Sequence, residues 1–369
     1  MIRLIDTSFF FSNTSNFTSL LQQHEPALGY ARFLNPYVSI EIIKHLDHEG
    51  LVVNDGVTCT AFKSNNSFWH IPFKTIRYIK QQQPDVIILQ GFVFPLQLIF
   101  LKLKLKKQAV LVVQHHGEKP FTGIKKWLQK MAGRFTDACL FTSSGNAQPW
   151  INAGIIRWNT KCFELLEAST NFIQQDKALA KEQLGLNGDF NFLWVGRLNE
   201  GKDPVTVLKA FELFCTNKAD AKLYMIYHTE ELLPIIKKMM EEKPLLQQHI
   251  VLVGKVPYAE MERWYNAADF FISGSHFEGS GYALLEAMAC GCIPVVTDIP
   301  SFRTITEEGK HAFLFPPGDH SALLNILNLL HNINRYEART GITNYFQQQL
   351  SFAAIANNLY SICKKLTGK

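Results

Sequence analysis

The 369-residue sequence has little of several things that would settle its class at once. Cysteine is thin: seven residues, at 59, 139, 162, 215, 290, 292 and 363, of which only Cys290 and Cys292 lie close together. A single Cys-x-Cys has no second pair to complete a zinc site. An odd, scattered set flanked by apolar residues reads as the reduced thiols of a cytoplasmic protein. Charge of one sign is scarce too. Lys plus Arg number 37 against 32 Asp plus Glu, a net of +5, far below the cation density of a dedicated nucleic-acid binder. The longest apolar stretch, 86–101, is interrupted by Gln90, Gly91, Pro95 and Gln97 and falls short of a spanning helix. Residues 1–20 carry one Arg and are broken by Ser, Asn and Thr, so no signal-peptide core forms, and the Asn-x-Ser/Thr triplets beginning at Asn13, Asn16 and Asn65 read as chance matches. Repeats, coiled-coil heptads, Asp-x-Asp triplets and His-Glu-x-x-His are missing as well.

What is present is enough to fold. Apolar residues make up 47% and charged residues 19%, and the length suits two domains. Short apolar runs alternate with amphipathic stretches, the pattern of parallel sheets covered by helices on both faces. Strands are predicted at 85–90, 109–114 and 137–142, each followed by a helix, at 95–107, 122–134 and 146–153. In the second half strands fall at 191–195, 221–227, 249–253, 269–273 and 293–297. Helices lie near 204–216, 231–242, 258–267 and 281–290, with two more at 321–330 and 351–366. The polar stretch 171–189 reads as an interdomain linker. The expectation is α/β, with two doubly wound domains in series.

Ligands of such sheets sit beyond the carboxyl ends of strands, which directs attention to the loops 115–119, 196–203, 227–229 and 275–281. The second of these reads Gly196-Arg197-Leu198-Asn199-Glu200-Gly201-Lys202-Asp203. It satisfies the front of a P-loop and fails at Asp203, where Ser or Thr would hold magnesium. Arg197 and Lys202 still supply two cations suited to a diphosphate, and Asp203-Pro204 makes a good helix start. The alternative for both cations is solvated surface charge. In the fourth loop, Gly279-Ser280-Gly281 lets backbone amides converge on an anion at a helix N-terminus. Glu286 follows inside an apolar helix, where a carboxylate needs donors: ligand hydroxyls, or an internal cation. Eight residues of helix would part Glu278 from Glu286 by roughly 12 Å, too far for a glycosidase pair.

Glu278-x7-Glu286, continued by Ala287-Met288-Ala289-Cys290-Gly291-Cys292-Ile293-Pro294-Val295-Val296, resembles the signature of GT4-type retaining glycosyltransferases (glycosyl transferases group 1). Gly196-Arg197-Leu198 with Lys202, and the later Phe315-Pro316-Pro317-Gly318-Asp319, fit the same family in order and spacing. The resemblance covers about residues 190–335. It implies the GT-B architecture: two Rossmann-like domains facing a central cleft, with the C-terminal helix crossing back to the first. The corresponding bounds are 1–170 for the acceptor-side domain, 171–345 for the nucleotide-sugar domain and 346–369 for the helix.

The activity implied is metal-independent transfer of a sugar, with retention, from a nucleotide diphosphate sugar. Neither metal nor cofactor is implied; UDP-sugar is the favoured donor and GDP-sugar the second choice. Arg197, Lys202, Ser280, Gly281 and Tyr282 are implied to bind the donor diphosphate, Glu286 the ribose, and Glu278 the donor sugar. By the same resemblance, His116 at the end of Val112-Val113-Gln114-His115-His116-Gly117 approaches the reacting sugar, the alternative being a satisfied structural histidine; His115 would face away if the strand continued. Two segments depart from the family. Asp6-Thr7-Ser8-Phe9-Phe10-Phe11 stands in place of its glycine-rich loop, and Glu167-Ala168-Ser169-Thr170 in place of its Asn-Gly motif.

The acceptor implied is a glycan, a lipid-linked glycan or a small molecule, and no nucleic acid is expected. Leu101-Lys102-Leu103-Lys104-Leu105-Lys106-Lys107, and Lys125, Lys126, Lys130 and Arg134 around Trp127, suit contact with an anionic membrane at its inner face, or two ordinary solvated helix faces. The other readings are a nucleotide-sugar-binding protein without turnover, and another GT-B enzyme such as an epimerase.

Overall fold

A computed structural model describes residues 1–13, 17–23, 25–34, 36–64, 68–106, 108–186, 188–218 and 220–369. The Asn-x-Ser/Thr triplets at Asn13, Asn16 and Asn65 fall wholly or partly outside these residues, as do Lys107 of the basic run and Asn187 of the expected linker. The chain divides into two units: residues 1–169 with 352–369, and residues 170–351.

Unit 1 holds eight strands: β1 (Ile2–Ser12), β2 (Val38–Leu46), β3 (Gly50–Asn54), β4 (Val57–Lys63), β5 (Val86–Gln90), β6 (Val110–Gln114), β7 (Ala138–Phe141) and β8 (Lys161–Glu164). Their order is β3-β4-β2-β1-β5-β6-β7-β8. All pair in parallel except the β3–β4 hairpin at the edge. The central strands β5 and β6 read Val-Ile-Ile-Leu-Gln and Val-Leu-Val-Val-Gln and are almost wholly buried, because helices cover both faces of a parallel sheet. One face packs against the helices Phe73–Gln82, Pro95–Leu105 and Gly123–Gly133. The other is covered by the last helix, Phe352–Thr367, whose Phe352, Ile355, Ala356, Leu359 and Ile362 recur at helical spacing against Ile2, Leu4, Val86, Ile88 and Val112. Each of the larger of these side chains, buried, contributes about 1.5–3 kcal/mol.

Where a glycine-rich loop is expected after the first strand, β1 runs on to Ser12. Its register against β2 shifts between Thr7 and Phe11, the irregularity that lets the long strand bend. Strand existence in residues 1–63 escaped the sequence reading, since its apolar runs mix with polar residues.

Unit 2 holds β9 (Phe190–Gly196), β10 (Ala221–Tyr227), β11 (Ile250–Gly254), β12 (Phe270–Ser273), β13 (Ile293–Thr297) and β14 (Phe313–Phe315), all parallel, in the order β11-β10-β9-β12-β13-β14. The order reverses between β9 and β12, which places the crevice of the sheet at the ends of those two strands. The segment expected to be a linker contains a helix, Lys177–Leu184, N-capped by the Asp176 side chain at Leu179 N, 2.9 Å. Lys177 and Lys181 both pair with buried Asp269 at the base of β12, so this helix is fastened into unit 2 rather than left as tether. Its polarity, which suggested a linker, belongs to an amphipathic cover.

Candidate active site

In unit 2 the loops after β9 and β12 are built onto one another. Asn199 accepts from Lys202 N at 3.1 Å and turns the chain through a short 3-10 turn. Asp203 then sits at φ +39° and caps the helix Pro204–Cys215, accepting from Thr206 N at 3.1 Å. Its other oxygen is 3.0 Å from His276 Nε2, and Gly201 O accepts from His276 N at 2.9 Å. A Cβ at Gly274 would lie 2.6 Å from Asp203 O, so only glycine lets the loops approach this closely.

The second loop delivers Glu278 to Lys202, the two forming an ion pair, while Ser301 Oγ donates to Glu278 O at 2.7 Å. Gly281 takes φ +66°, and a Cβ there would stand 2.7 Å from Ile305 Cδ1. The helix Tyr282–Ala289 starts from that turn, and one turn further in Glu286 is buried. Among the described residues, no cation shifts the Glu286 carboxyl. Its Oε2 accepts from Tyr265 OH at 2.8 Å, and Tyr258 donates as well. Burial pushes the carboxyl up to about 7, against the downward pull of both hydroxyls.

These elements enclose a cavity of about 590 Å³. Arg197, Lys202, Glu278, Gly281, Tyr282 and Glu286 all line it, whereas Ser280 is not among its walls. His228 after β10, and Lys255 and Tyr258 after β11, line it too. The loop after β11 escaped the sequence reading because Lys255-Val256-Pro257 carries no motif; Tyr265 escaped because an aromatic at helical spacing reads as core.

His116 lies in unit 1, at the carboxyl ends of β5 and β6. Tyr30 OH and Gln90 Nε2 each donate to buried Asp6 Oδ2 at 2.6 Å, which turns the Gln90 oxygen toward His116 Nε2, 2.5 Å away. His116 Nδ1 meets the Glu167 carboxylate. Both ring nitrogens therefore face acceptors, an arrangement that favours the protonated ring. Burial lowers its pKa, but the Glu167 hydrogen bond and charge, with Glu118 and Asp6, outweigh this and raise it overall. The residue that replaces the expected Asn-Gly motif thus has a structural job. His115 points away as expected, buried against Phe141 and Trp150 with Nε2 3.0 Å from Glu118 O.

A histidine with a raised pKa stabilises the fold below its unfolded value near 6.5, and that contribution is lost as pH rises through the folded value. Melting curves of the free protein should show it: stability falls on going above pH 6.5, and Glu167→Gln flattens that slope. An unchanged slope in the variant would dispose of the ion pair.

Two doubly wound parallel units of this kind define the GT-B fold, and solved structures share it over the full chain. Sucrose-phosphate synthase from Thermosynechococcus elongatus superposes with a TM-score of 0.69 at 15% identity, covering 99% of each chain. The E. coli trehalose-6-phosphate protein bound with UDP-2-fluoro glucose gives 0.69 at 11% identity, covering 98% of this chain and 99% of that one. Residues 176–348 match the family described as glycosyl transferases group 1, nearly the whole of unit 2. Over these residues unit 2 is similar to that family. It is 31% identical over 180 residues to N-acetylgalactosamine-N,N'-diacetylbacillosaminyl-diphospho-undecaprenol 4-alpha-N-acetylgalactosaminyltransferase of Campylobacter jejuni, covering 47% of this chain and 45% of the relative. The chain spans about half the length of the curated relatives it matches.

Proposed function

We propose that this protein is a retaining, metal-independent glycosyltransferase that moves a sugar from a UDP-sugar to a glycan or lipid-linked acceptor. The observation that carries the proposal is the unit 2 cavity, where Arg197 and Lys202, a glycine turn at a helix N-terminus and a hydroxyl-supported carboxylate line one space. Arg197 and Lys202 hold the donor diphosphate, assisted by the turn at Ser280, Gly281 and Tyr282. They stabilise the negative charge that grows on the diphosphate as the sugar–oxygen bond breaks. Glu286 accepts from the ribose hydroxyls. Glu278 leaves Lys202 for the hydroxyls of the transferred sugar once the diphosphate takes the cation. His116, its protonated form favoured by Glu167, is the unit 1 residue we assign to the reacting sugar; the acceptor's proton passes to a donor phosphate oxygen instead.

UDP is supported by the E. coli protein of the same fold that binds UDP-2-fluoro glucose. A lipid-linked acceptor is supported by the Campylobacter relative, whose name places a diphospho-undecaprenol on its substrate. Thermal-shift measurement against UDP-, GDP-, ADP- and dTDP-sugars tests the donor directly. UDP-sugars should raise the melting temperature most, by several degrees at concentrations a hundredfold above Kd. A flat response to every nucleotide sugar overturns the donor site.

A further inference from the structure

The charge of unit 1 is not evenly spread. The helices Phe73–Gln82, Pro95–Leu105 and Gly123–Gly133 carry eight Lys and Arg and not one Asp or Glu. The whole chain has an excess of only +5, so the residues outside these helices are net negative together. Lys74 and Lys102 are answered by Glu49 and Asp137. Among the described residues, Lys104, Lys125, Lys126 and Lys130 form no ion pair. All are at the surface, where cations left unopposed repel one another.

The same surface exposes large apolar side chains. On the helix Gly123–Gly133 the inward face is short, made of Gln129, Ala132 and Gly133. Ile124, Trp127, Leu128 and Met131 recur at the three- and four-residue spacing of a second stripe that this core does not use. Ile124 is 73% exposed and Trp127 58%, while Leu128 and Met131 are half-buried. Beside the start of this helix, Phe68 makes ring contacts with Trp69 at 5.0 Å and Phe121 at 6.1 Å, and Lys125 lies over both phenylalanine rings. Trp69 is itself 57% exposed. Gln97 Nε2 fixes this loop by donating to Phe68 O and His70 O, so the aromatics are presented on an ordered support.

We propose that this face of unit 1, centred on the helix Gly123–Gly133, docks onto an anionic lipid bilayer. Charge complementarity selects an anionic partner: lysines flank the apolar stripe and no acid interrupts it. The stripe selects a bilayer among anionic partners, because a phosphate backbone offers nowhere to bury isoleucine, leucine and methionine. Acyl chains do, at the depth reached by a helix lying in the headgroup plane. The lysine stems cover the boundary while their ammonium groups reach the headgroups. No helix among the described residues is long and apolar enough to cross a membrane, so attachment by this face is peripheral. The inference concerns unit 1 alone and is independent of the donor chemistry.

Vesicle flotation without any nucleotide sugar tests it. The full chain should float with phosphatidylcholine vesicles containing phosphatidylglycerol and stay in solution with phosphatidylcholine alone, and added salt should weaken the attachment. Lys125→Glu/Lys126→Glu/Lys130→Glu should lower partitioning about a hundredfold, roughly fivefold or more for each lysine. Ile124→Ser/Trp127→Ser should lower it comparably at unchanged charge, and both variants should melt like the parent because the altered side chains are outside the core. Absence of flotation at low salt overturns the proposal, as does equal flotation with neutral vesicles or by the two variants. Loss in the charge variant with full retention in Ile124→Ser/Trp127→Ser, together with displacement by duplex RNA, would make the face a nucleic-acid surface and likewise overturn it.

Discussion

Lys202→Ala should cost about two to three orders of magnitude in kcat/KM with UDP-sugar, the scale seen when a preorganised donor to developing negative charge is removed. The loss has two parts. In the proposed site the diphosphate loses one of the two cations assigned to it, and Glu278 loses the ammonium that pairs with it in the free protein. A carboxylate left without its partner in a half-buried loop repels the incoming diphosphate, so the variant is worse than simple deletion of a contact. Adding Glu278→Gln to Lys202→Ala should therefore restore part of the donor affinity but not the turnover, because the amide removes the repulsion and also the contact to the transferred sugar. Titration calorimetry with a UDP-sugar, alongside steady-state kinetics, separates the two effects. Full activity in Lys202→Ala would remove the diphosphate site from this loop.

Donor affinity should fall as pH is lowered from 8 to 6, by about tenfold, because Glu286 titrates near 7 in the free protein. If the ribose hydroxyls donate to the carboxylate as proposed, the ionised form binds and the protonated form must first lose its proton. A UDP-sugar suits the measurement, since its doubly esterified diphosphate does not titrate in this range. The sign for folding is opposite. With its pKa raised from 4.5 to about 7, Glu286 holds a proton in the fold that the unfolded chain has released, so its contribution favours the free fold at low pH and is lost as pH rises from about 4.5 to about 7. Tyr265→Phe removes the 2.8 Å hydroxyl donor and should move the binding midpoint upward while weakening affinity severalfold at pH 7. A pH-independent Kd between 6 and 8, in the parent and in Tyr265→Phe alike, would show that Glu286 does not meet the ribose.

The second unit was the more legible in sequence, for a physical reason. Strands such as Phe270–Ser273 and Ile293–Thr297 are short and continuously apolar, the loops between them carry glycine where backbone must approach backbone, and Pro204 marks a helix start. Spacing alone brought Arg197, Lys202 and Glu286 under suspicion, and all three line one cavity. What sequence did not give were partners set by tertiary structure. Glu286 is answered by hydroxyls from the helix Tyr258–Ala267, which lies before it in the chain, and not by the Arg or Lys that a local reading would seek. Glu167 looked like a lost motif, and Gln90 like a break in an apolar run; from the two ring nitrogens they orient His116. The edge hairpin of β3 and β4 was invisible because half-exposed strands alternate polar and apolar residues, and a two-residue turn at Asp55-Gly56 leaves only a faint trace.

The division of unit 1 into residues 1–169 and 352–369 has a consequence for biosynthesis. During translation the ribosome must complete all of residues 170–351 before it makes the helix Phe352–Thr367, which supplies one wall of the cluster around Leu4, Ile88 and Val112. Unit 2 is contiguous and can close as soon as it emerges, whereas the earlier-made unit waits with one sheet face bare. The nascent chain therefore matures in an order opposite to its sequence, and the apolar surface most in need of a chaperone belongs to the segment synthesised first.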